Sequence, residues 1–307
     1  MRKELVESLQ CSECGGSLRL SITKKDKIEI REGTLICKEC GHVWPIINGM
    51  AYLSEAKDKL LLAELDGWVE YSKKSGWYDV DDNYLWSLPY PDDNIESFNW
   101  DRHACDFEFL VDRLPTLDGL TVLDLGAGRC WSSRILAECG ANVIAVDALD
   151  DAKVGLGAGD VMIRHEPSNI KYFERVVADV VKLPFKDESM DIIIFSGALH
   201  HVNDLYGVME DCTRVLKKGG FLGLTNEPCT GMFGRELIGK PNEFGINEHN
   251  YRYARYMDYL QHFGYKTVDY PEPYAWHDKV DDGIVQWYDH LVKQFKGGVL
   301  VSVSQKL

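Results

Sequence analysis

The stretch TVLDLGAGRCWSSRILAECGANVIAVD, residues 121–147, decides the fold of this chain. It reads as a short apolar strand, a glycine turn, a helix that stops at Gly140, and a second apolar strand. Gly126 and Gly128 allow a tight reversal and let a ligand approach the backbone, which a side chain would block. The N-terminus of the helix directs free N–H groups and a partial positive charge at whatever lies over the glycines. The pattern therefore predicts an α/β unit with a ligand site at this turn.

Two cofactors fit such a unit, since Asp147 ends the second strand with a carboxylate placed to hold a ribose diol. A nicotinamide cofactor favours the pattern G-x-G-x-x-G, but the last of these positions is Trp131. S-adenosylmethionine favours an acid just before the glycines, and Asp124 stands there to meet its ammonium group. The choice between the two depends on the sequence further along the chain.

Length and composition limit the class of protein. A chain of 307 residues is expected to form one large domain and a small module. It contains no run of eighteen apolar residues, and its first ten residues lack the apolar segment of a signal peptide, so we expect a cytoplasmic protein without a membrane segment. A formal charge of −15 argues against a general nucleic-acid binder, whose affinity depends on neutralising phosphates.

Four of the nine cysteines form two C-x-x-C pairs, Cys11 with Cys14 and Cys37 with Cys40, separated by 22 residues. In a reducing compartment such pairs supply four thiolates for tetrahedral zinc rather than disulfides. The residues between the pairs alternate apolar and polar side chains, as a small hairpin does. We therefore predict a zinc ribbon in which all four ligands come from the protein, which makes the metal structural.

Residues 9–53 resemble the zinc-ribbon module that serves as a small activator subunit of tRNA and protein methyltransferases. A similar ribbon is fused ahead of the methyltransferase domain in bacterial ribosomal-RNA guanine methyltransferases. The resemblance implies a protein partner, or a dimer, that uses the ribbon. Residues 1–40 hold eight Lys/Arg against seven Asp/Glu, so they offer no basic patch for gripping RNA.

Residues 54–118 are acidic and aromatic, with sixteen Asp/Glu against six Lys/Arg. Two segments, 60–74 and 98–114, carry apolar residues at the three- and four-residue spacing of helices. Two interpretations stay open. The helices cover a cofactor and acceptor site, or their aromatic residues pack on the sheet.

The sequence after residue 147 favours S-adenosylmethionine. VVADVVKLPFKDESMDIIIFSGALHHV (176–202) contains a strand that ends at Asp179 and a second strand at Ile192–Phe195, and RVLKKGGFLGLTNEP (214–228) adds a fifth strand. Together with VLDLGAG, this succession resembles class I S-adenosylmethionine-dependent methyltransferases of type 11. The resemblance implies a Rossmann-like α/β fold with a seven-stranded, mostly parallel sheet whose last strand is antiparallel.

The last part of the chain agrees with that sheet, because residues 251–305 read as helix, strand, helix and strand. We therefore expect three parts: a zinc-ribbon β module at 1–53, a helical connector or lid at 54–118, and a cofactor-binding methyltransferase domain at 119–307.

The resemblance also implies roles for particular residues. The methionine end of the cofactor is expected at the first glycine turn, the ribose and adenine at the two acids that end later strands, and the transferred methyl group near the end of the fourth strand. The expected cofactor-binding residues are Asp124, Gly126, Ala127, Gly128, Asp147, Ala148, Asp179, Val180 and Ser196. One departure is Cys130, which replaces the family's usual third glycine.

A general base is needed if the acceptor is a hydroxyl or a protonated amine. His200 and His201 follow the fourth strand and Glu227 follows the fifth, where the ligand crevice of a parallel sheet lies. His200 is favoured, although a histidine can also merely cap the strand, and Glu227 can serve as a structural hydrogen-bond acceptor. His249 and Tyr251 are weaker candidates for contact with the acceptor.

The predicted function is transfer of a methyl group from S-adenosylmethionine to an oxygen, nitrogen or carbon atom of a small molecule. One alternative is a ribosomal- or transfer-RNA base methyltransferase, which the ribbon suggests and the charge opposes. Another is a cofactor-binding scaffold without turnover, whose ribbon docks a partner.

Overall fold

The structure is a computed structural model that describes residues 1–54, 59–92, 99–165, 172–276 and 279–307. All of predicted segment 60–74 and all but one residue of predicted segment 98–114 lie within these ranges, and both segments form helices. Among the described segments, every helix is too short or too polar to span a lipid bilayer.

Twelve strands and nine α-helices are present in the described ranges. The strands are β1 Leu18–Lys25, β2 Ile30–Cys37, β3 Val43–Ile47, β4 Met50–Tyr52, β5 Thr121–Leu125, β6 Asn142–Asp147, β7 Glu174–Val177, β8 Met190–Ser196, β9 Leu216–Thr230, β10 Tyr251–Arg252, β11 Tyr265–Tyr270 and β12 Gly297–Lys306. The helices are α1 Lys59–Lys74, α2 Asp82–Ser87, α3 Trp100–Arg113, α4 Trp131–Glu138, α5 Gly159–Arg164, α6 Leu205–Val215, α7 Tyr253–His262, α8 Pro273–Trp276 and α9 Gly283–Phe295.

Seven strands form the predicted sheet, in the order β7-β6-β5-β8-β9-β12-β11. The strands from β7 to β9 are parallel, and β12 runs antiparallel to both of its neighbours. This confirms the predicted α/β fold with its antiparallel last strand. The short strand β10 adds a parallel pairing to the end of β9.

The central strands are apolar on both faces because helices cover both sides of the sheet. Residues 192–194 of β8, which are three consecutive isoleucines, are completely buried. Helices α3, α4 and α5 contribute to the core on one face, whereas α6, α7 and the ribbon contribute to the core on the other. This arrangement leaves the carboxyl ends of β5 to β8 as the edge where a ligand can enter.

The ribbon is joined to the same sheet. Strands β1 to β4 pair antiparallel with one another, and β4 then pairs in parallel with β7. The N–H of Leu53 donates to the carbonyl of Val177 at 2.9 Å, just beyond this pairing. The ribbon thereby covers the strand edge that β7 would otherwise expose. The division at residues 53 and 118 stays a prediction, since the first and last parts share one sheet.

A buried ion pair lies beneath this junction. The Arg175 guanidinium donates to Oε1 of Glu29 at 3.0 Å, and both side chains are almost completely buried. Burial alone would raise the pKa of Glu29, but the charges of Arg175 and of the Met1 ammonium group, together with a hydrogen bond from Arg31, lower it to about 2. A paired charge of this kind is strongly destabilising when one partner is removed, so it fixes how the ribbon sits on the sheet.

The two helices of the predicted connector lie at different places. Helix α3 packs on the sheet, with Phe107 and Leu110 completely buried. Helix α1 instead lies over the carboxyl ends of the strands, where Leu61, Leu65 and Trp68 face a cavity.

Candidate active site

A cavity of about 430 Å³ lies at the carboxyl ends of β5, β6, β7 and β8, beneath α1. Its wall combines the glycine turn, the ends of the strands, α1 and the segment after β8. The lining residues are Leu61, Glu64, Leu65, Trp68, Gly126, Gly128, Asp147, Ala148, Leu149, Val154, Ala178, Asp179, Val180, Val181, Phe195, Gly197, Ala198, His201, Val202, Asn203 and Asp204.

The glycine turn and Asp147 hold each other in place. Oδ2 of Asp147 accepts a hydrogen bond from the N–H of Gly128 at 2.8 Å, and Oδ1 accepts from the N–H of Leu149 at 2.9 Å. Burial raises the pKa of Asp147, while these backbone donors favour its charged form. Each carboxylate oxygen retains a further lone pair for a ligand hydroxyl.

Asp179 lies at a second corner of the cavity, two residues after β7 ends. Its Oδ1 accepts from the N–H of Val181 at 3.0 Å, which fixes the side chain against its own turn. Asp147 and Asp179 thus present two carboxylates at the ends of neighbouring parallel strands.

Cys130 occupies a backbone position that explains why a glycine is usual there. Its φ is +63°, in the left-handed region, and it caps the N-terminus of α4. Its side chain is completely buried, and Sγ donates to the carbonyl of Gly128 at 3.6 Å. The left-handed conformation costs a residue with a side chain about 1–2 kcal/mol. Burial raises the pKa of the Cys130 thiol strongly, which disfavours the thiolate form that a nucleophile needs.

The turn after β8 is held by Glu227. Its Oε1 accepts from the N–H groups of Ala198 and Leu199, both at 2.9 Å. Its Oε2 accepts from the backbone N–H of His200 at 3.0 Å and lies 2.8 Å from His200 Nδ1. Glu227 is completely buried, so its contacts are those of a structural acceptor behind the cavity wall.

Burial and nearby charges shift the pKa values of His200 and His201 in opposite directions. Burial opposes the charged form of His200, but its hydrogen bonds to Glu227 and Glu248 outweigh this and raise its pKa to about 9. Burial and the neighbouring His200 lower the pKa of His201 to about 4. Burial also opposes the charged form of Glu227, but His200 and the backbone donors lower its pKa.

Residues 247–249 are pinned to this turn. His201 Nδ1 contacts the carbonyl oxygen of Asn247, and the N–H of His249 donates to the carbonyl of His200 at 3.2 Å. Asn247 Nδ2 donates to Oε2 of Glu64 on α1 at 2.6 Å, and burial raises the pKa of Glu64 to about 7. The segment therefore connects the turn after β8 to α1.

The four ribbon cysteines form a separate cluster. Sγ of Cys11 lies 3.8 Å from Sγ of Cys40, and Sγ of Cys14 lies 3.5 Å from Sγ of Cys37. A tetrahedron with metal–sulfur distances of about 2.3 Å requires sulfur–sulfur separations of roughly 3.8 Å. The indole N–H of Trp44 donates to Cys11 Sγ at 3.4 Å, as outer donors do for metal-bound thiolates. The cluster therefore fits a tetrahedral metal ion.

Comparison with known families identifies two parts of the chain. Residues 123–224 match the family described as "Methyltransferase domain", and residues 2–49 match "Trm112p-like protein". Residues 123–224 are therefore a methyltransferase domain. The predicted combination of a methyltransferase domain and an activator-like ribbon is confirmed.

Relatives of the methyltransferase domain cover only part of the chain. A demethylmenaquinone methyltransferase of Tropheryma whipplei is 31% identical over 130 residues, which are 42% of this chain. The match spans 48% of that relative, so this chain aligns with about half the length of the curated relatives it matches.

Two solved structures share the fold. A 1,6-didemethyltoxoflavin N1-methyltransferase of Burkholderia thailandensis has a TM-score of 0.51 at 12% identity, covering 93% of this chain and 100% of its own. The 4+2 cyclase SpnF has a TM-score of 0.54 at 15% identity, covering 80% of this chain and 96% of its own. At such low identity these likenesses show the fold alone.

Six of the nine predicted cofactor residues line the cavity of the methyltransferase domain: Gly126, Gly128, Asp147, Ala148, Asp179 and Val180. The other three lie outside it. Ala127 is buried beneath the turn, and Ser196 Oγ accepts from Asn226 Nδ2 at 3.3 Å. Asp124 is buried and accepts from Ser132 Oγ at 2.7 Å and from Ser133 Oγ, while burial raises its pKa to about 6. Its carboxylate faces α4 rather than the cavity.

Of the three predicted catalytic residues, His201 lines the cavity, whereas His200 and Glu227 lie behind it. The weaker candidates have internal partners. His249 Nδ1 accepts from the N–H of Gly239 at 3.2 Å and its Nε2 lies 3.0 Å from Asn203 Oδ1, while Tyr251 donates to the carbonyl of Val202. The sequence analysis did not predict Glu64 or Glu248, although Glu64 lies in segment 60–74 and Glu248 directly precedes His249.

The two glycines of the turn offer a matched pair of substitutions. A Cβ at Gly128 meets nothing within 4 Å, so Gly128→Ala is expected to fold at a cost of about 1–2 kcal/mol and to block the cavity where a cofactor approaches. A Cβ at Gly126 would lie 2.4 Å from the Ala198 Cβ, so Gly126→Ala is expected to lose stability as well. Thermal unfolding and calorimetric titration with S-adenosylhomocysteine separate the two effects. Equal binding by Gly128→Ala and the unchanged protein would contradict this placement.

Proposed function

We propose that this chain transfers a methyl group from S-adenosylmethionine to a small-molecule acceptor. The observation that carries the proposal is the cavity in which the glycine turn and the carboxylates of Asp147 and Asp179 meet beneath α1. S-adenosylmethionine, when bound, supplies an electrophilic methyl group on a sulfonium centre.

Different residues of the chain contact different parts of the cofactor. Asp147 accepts from the ribose hydroxyls, and Asp179 accepts from the adenine amino group. Gly128 leaves open space where the cofactor lies against the turn. Each hydrogen bond to a charged carboxylate contributes about 1.5–3 kcal/mol, so the two acids account for a substantial part of the affinity.

The lid side of the cavity suits a small acceptor. Leu61, Leu65 and Trp68 of α1 supply apolar surface that excludes water, which strengthens electrostatic interactions inside and protects the reaction. Glu64 and Asp204 line the same region and Glu248 lies close to it, so the acids disfavour a polyphosphate chain. An uncharged or cationic acceptor meets no such repulsion.

His201 is the predicted catalytic residue that faces this space. The indole ring of Trp68 on α1 lies edge-on to the imidazole ring of His201, with the two ring centroids 5.3 Å apart. His200 and Glu227 then act as positioning residues, since Glu227 holds the turn that carries both histidines.

We also propose that the four ribbon cysteines hold a structural zinc ion. The sulfur separations suit a tetrahedron, and four protein ligands leave no open position for a substrate. Cytoplasmic location, and docking of a protein partner or a second copy through the ribbon, remain parts of this proposal. The ribbon edge next to β4 is already paired with β7 within the chain, so a partner would use another face.

The test is a transfer experiment with methyl-labelled S-adenosylmethionine. The protein is incubated separately with an extract of small metabolites and with an extract of total RNA. We expect label in the metabolite fraction, with Gly128→Ala as the inactive control. Label in RNA alone would favour the base-methyltransferase alternative. Cofactor binding with no label in either fraction would favour the scaffold and contradict turnover.

A further inference from the structure

The turn after β8 and the pinned segment 247–249 bring two imidazoles and a carboxylate together. One ligand atom from each of His200, His201 and Glu248 lies within 4.8 Å of the others, and this set is distinct from the ribbon cysteines. His200 Nε2 lies 3.5 Å from Glu248 Oε2, and the two imidazole ring centroids are 4.1 Å apart.

Both histidines are oriented as metal-bound histidines are. His200 is tied through Nδ1 to the buried carboxylate of Glu227, and His201 is tied through Nδ1 to the carbonyl oxygen of Asn247. An acceptor at Nδ1 fixes the ring and leaves Nε2 as the atom that a metal ion binds, after it displaces the Nε2 proton. His249 lies outside this cluster, because its ring nitrogens contact the N–H of Gly239 and Oδ1 of Asn203.

We propose that His200, His201 and Glu248 bind a divalent metal ion at the lid side of the cavity, where the ion holds an acceptor through an oxygen atom.

One spacing within the cluster already fits such an ion. Metal–nitrogen and metal–oxygen distances of about 2.0–2.2 Å place neighbouring ligands roughly 3.0–3.5 Å apart. The separation of 3.5 Å between His200 Nε2 and Glu248 Oε2 lies at the upper end of this range. Glu248 is about half exposed, with 52% of its side-chain surface accessible, so small rotations of this side chain can complete the site.

The donor set points to a borderline transition metal. Two imidazoles and one carboxylate suit Fe²⁺, Co²⁺, Mn²⁺ or Zn²⁺ and leave open positions, whereas the four thiolates of the ribbon suit zinc in a closed site. The chain would thus hold one structural and one ligand-binding metal ion.

The metal site deepens the proposed function, on which its assigned role rests. His201 lines the cavity, so an ion on its Nε2 lies next to the space beneath α1. Such an ion binds a hydroxyl-bearing acceptor and lowers the pKa of that hydroxyl, whose proton passes to solvent. The acceptor class inferred here is therefore an alcohol, phenol or related oxygen donor, rather than a carbon or amine nucleophile.

The test is calorimetric titration with Co²⁺, combined with absorption spectroscopy, of protein that metal analysis shows to hold one equivalent of zinc per chain. We expect one further equivalent to bind, without the intense near-ultraviolet absorption of cobalt bound to thiolates, because the ribbon keeps its zinc. Glu248→Gln and His201→Gln should each weaken Co²⁺ binding at least tenfold, a magnitude typical of damaged metal sites. His262→Gln, which changes an exposed histidine on α7, should bind Co²⁺ like the unchanged protein.

Two results would overturn the inference: no further Co²⁺ bound by folded protein, or binding that is unaffected in both Glu248→Gln and His201→Gln. Titration of the same samples with S-adenosylhomocysteine separates this failure from failure of the proposed function. Cofactor binding without Co²⁺ binding refutes only the metal site. Co²⁺ binding without cofactor binding supports the metal site and refutes the proposed function.

Discussion

Asp147→Asn is expected to weaken binding of S-adenosylhomocysteine by more than tenfold. The substitution keeps the shape of the side chain but removes the charge that makes its hydrogen bonds strong, and each such bond contributes about 1.5–3 kcal/mol. It also replaces one acceptor oxygen by a donor group, so either Gly128 or Leu149 loses its backbone partner. The expected loss therefore combines a weaker contact with the ribose and a less ordered turn. Calorimetric titration at constant ionic strength measures it.

Asp258→Asn is the matched control, because Asp258 is exposed on α7, in the same domain. We expect the control to bind S-adenosylhomocysteine like the unchanged protein. Thermal unfolding of Asp147→Asn shows whether the variant is folded. A folded variant with undiminished affinity would mean that Asp147 does not contact the ligand, and the assignment of the ribose position would be wrong.

Cys37→Ser is expected to remove the ribbon's zinc and to lower the unfolding temperature by about 10 °C. Zinc binding by small modules contributes about 10–16 kcal/mol. If the substitution removes roughly 3 kcal/mol of this stabilisation, the unfolding temperature of a large domain falls by about 10 °C. The effect should extend beyond the ribbon, because β4 pairs with β7 and a loosened ribbon exposes the edge of the main sheet. Metal analysis and calorimetric unfolding measure the two parts of the prediction.

Cys139→Ser is the control for this experiment, since Cys139 is an exposed free cysteine at the end of α4. It should keep its zinc and its unfolding temperature. A Cys37→Ser protein that retains a full equivalent of zinc in the ribbon, or unfolds like the control, would contradict a structural metal there.

The main sheet was predictable because its signals are local. The alternation of apolar strands, glycine turns and amphipathic helices in residues 121–230 depends on neighbours in sequence, and the two last strands repeat the pattern. The turn residues were predictable for the same reason. Gly126 and Gly128 both adopt positive φ, and so does Cys130, which replaces the usual third glycine.

The contacts of the site were harder to predict, because they join segments far apart in sequence. Glu248 meets His200 across 48 positions, and Asn247 meets Glu64 across 183. A periodic pattern gives the face of a helix, but it does not say which loop lies opposite. Asp124 illustrates the same limit. Its position before the glycines suggested a ligand contact, whereas the fold directs its carboxylate to two serines of α4.

The pairing of the ribbon with the main sheet also could not be predicted from local sequence patterns. The four cysteines predict a self-contained module, since a metal can organise about 50 residues without help. The pairing of β4 with β7 depends on the edge strand being free and on the buried pair of Glu29 and Arg175 across the junction. Neither condition has a signature within residues 1–53.

The central claim is that the cavity beneath α1 binds S-adenosylmethionine through the glycine turn, Asp147 and Asp179. Calorimetric titration of the full chain with S-adenosylhomocysteine tests it most directly, because this product needs neither an acceptor nor a metal ion to bind. The account predicts one binding site per chain, with binding lost in Gly128→Ala and retained in Asp258→Asn. The absence of binding heat across several temperatures, from protein shown to be folded, would contradict it.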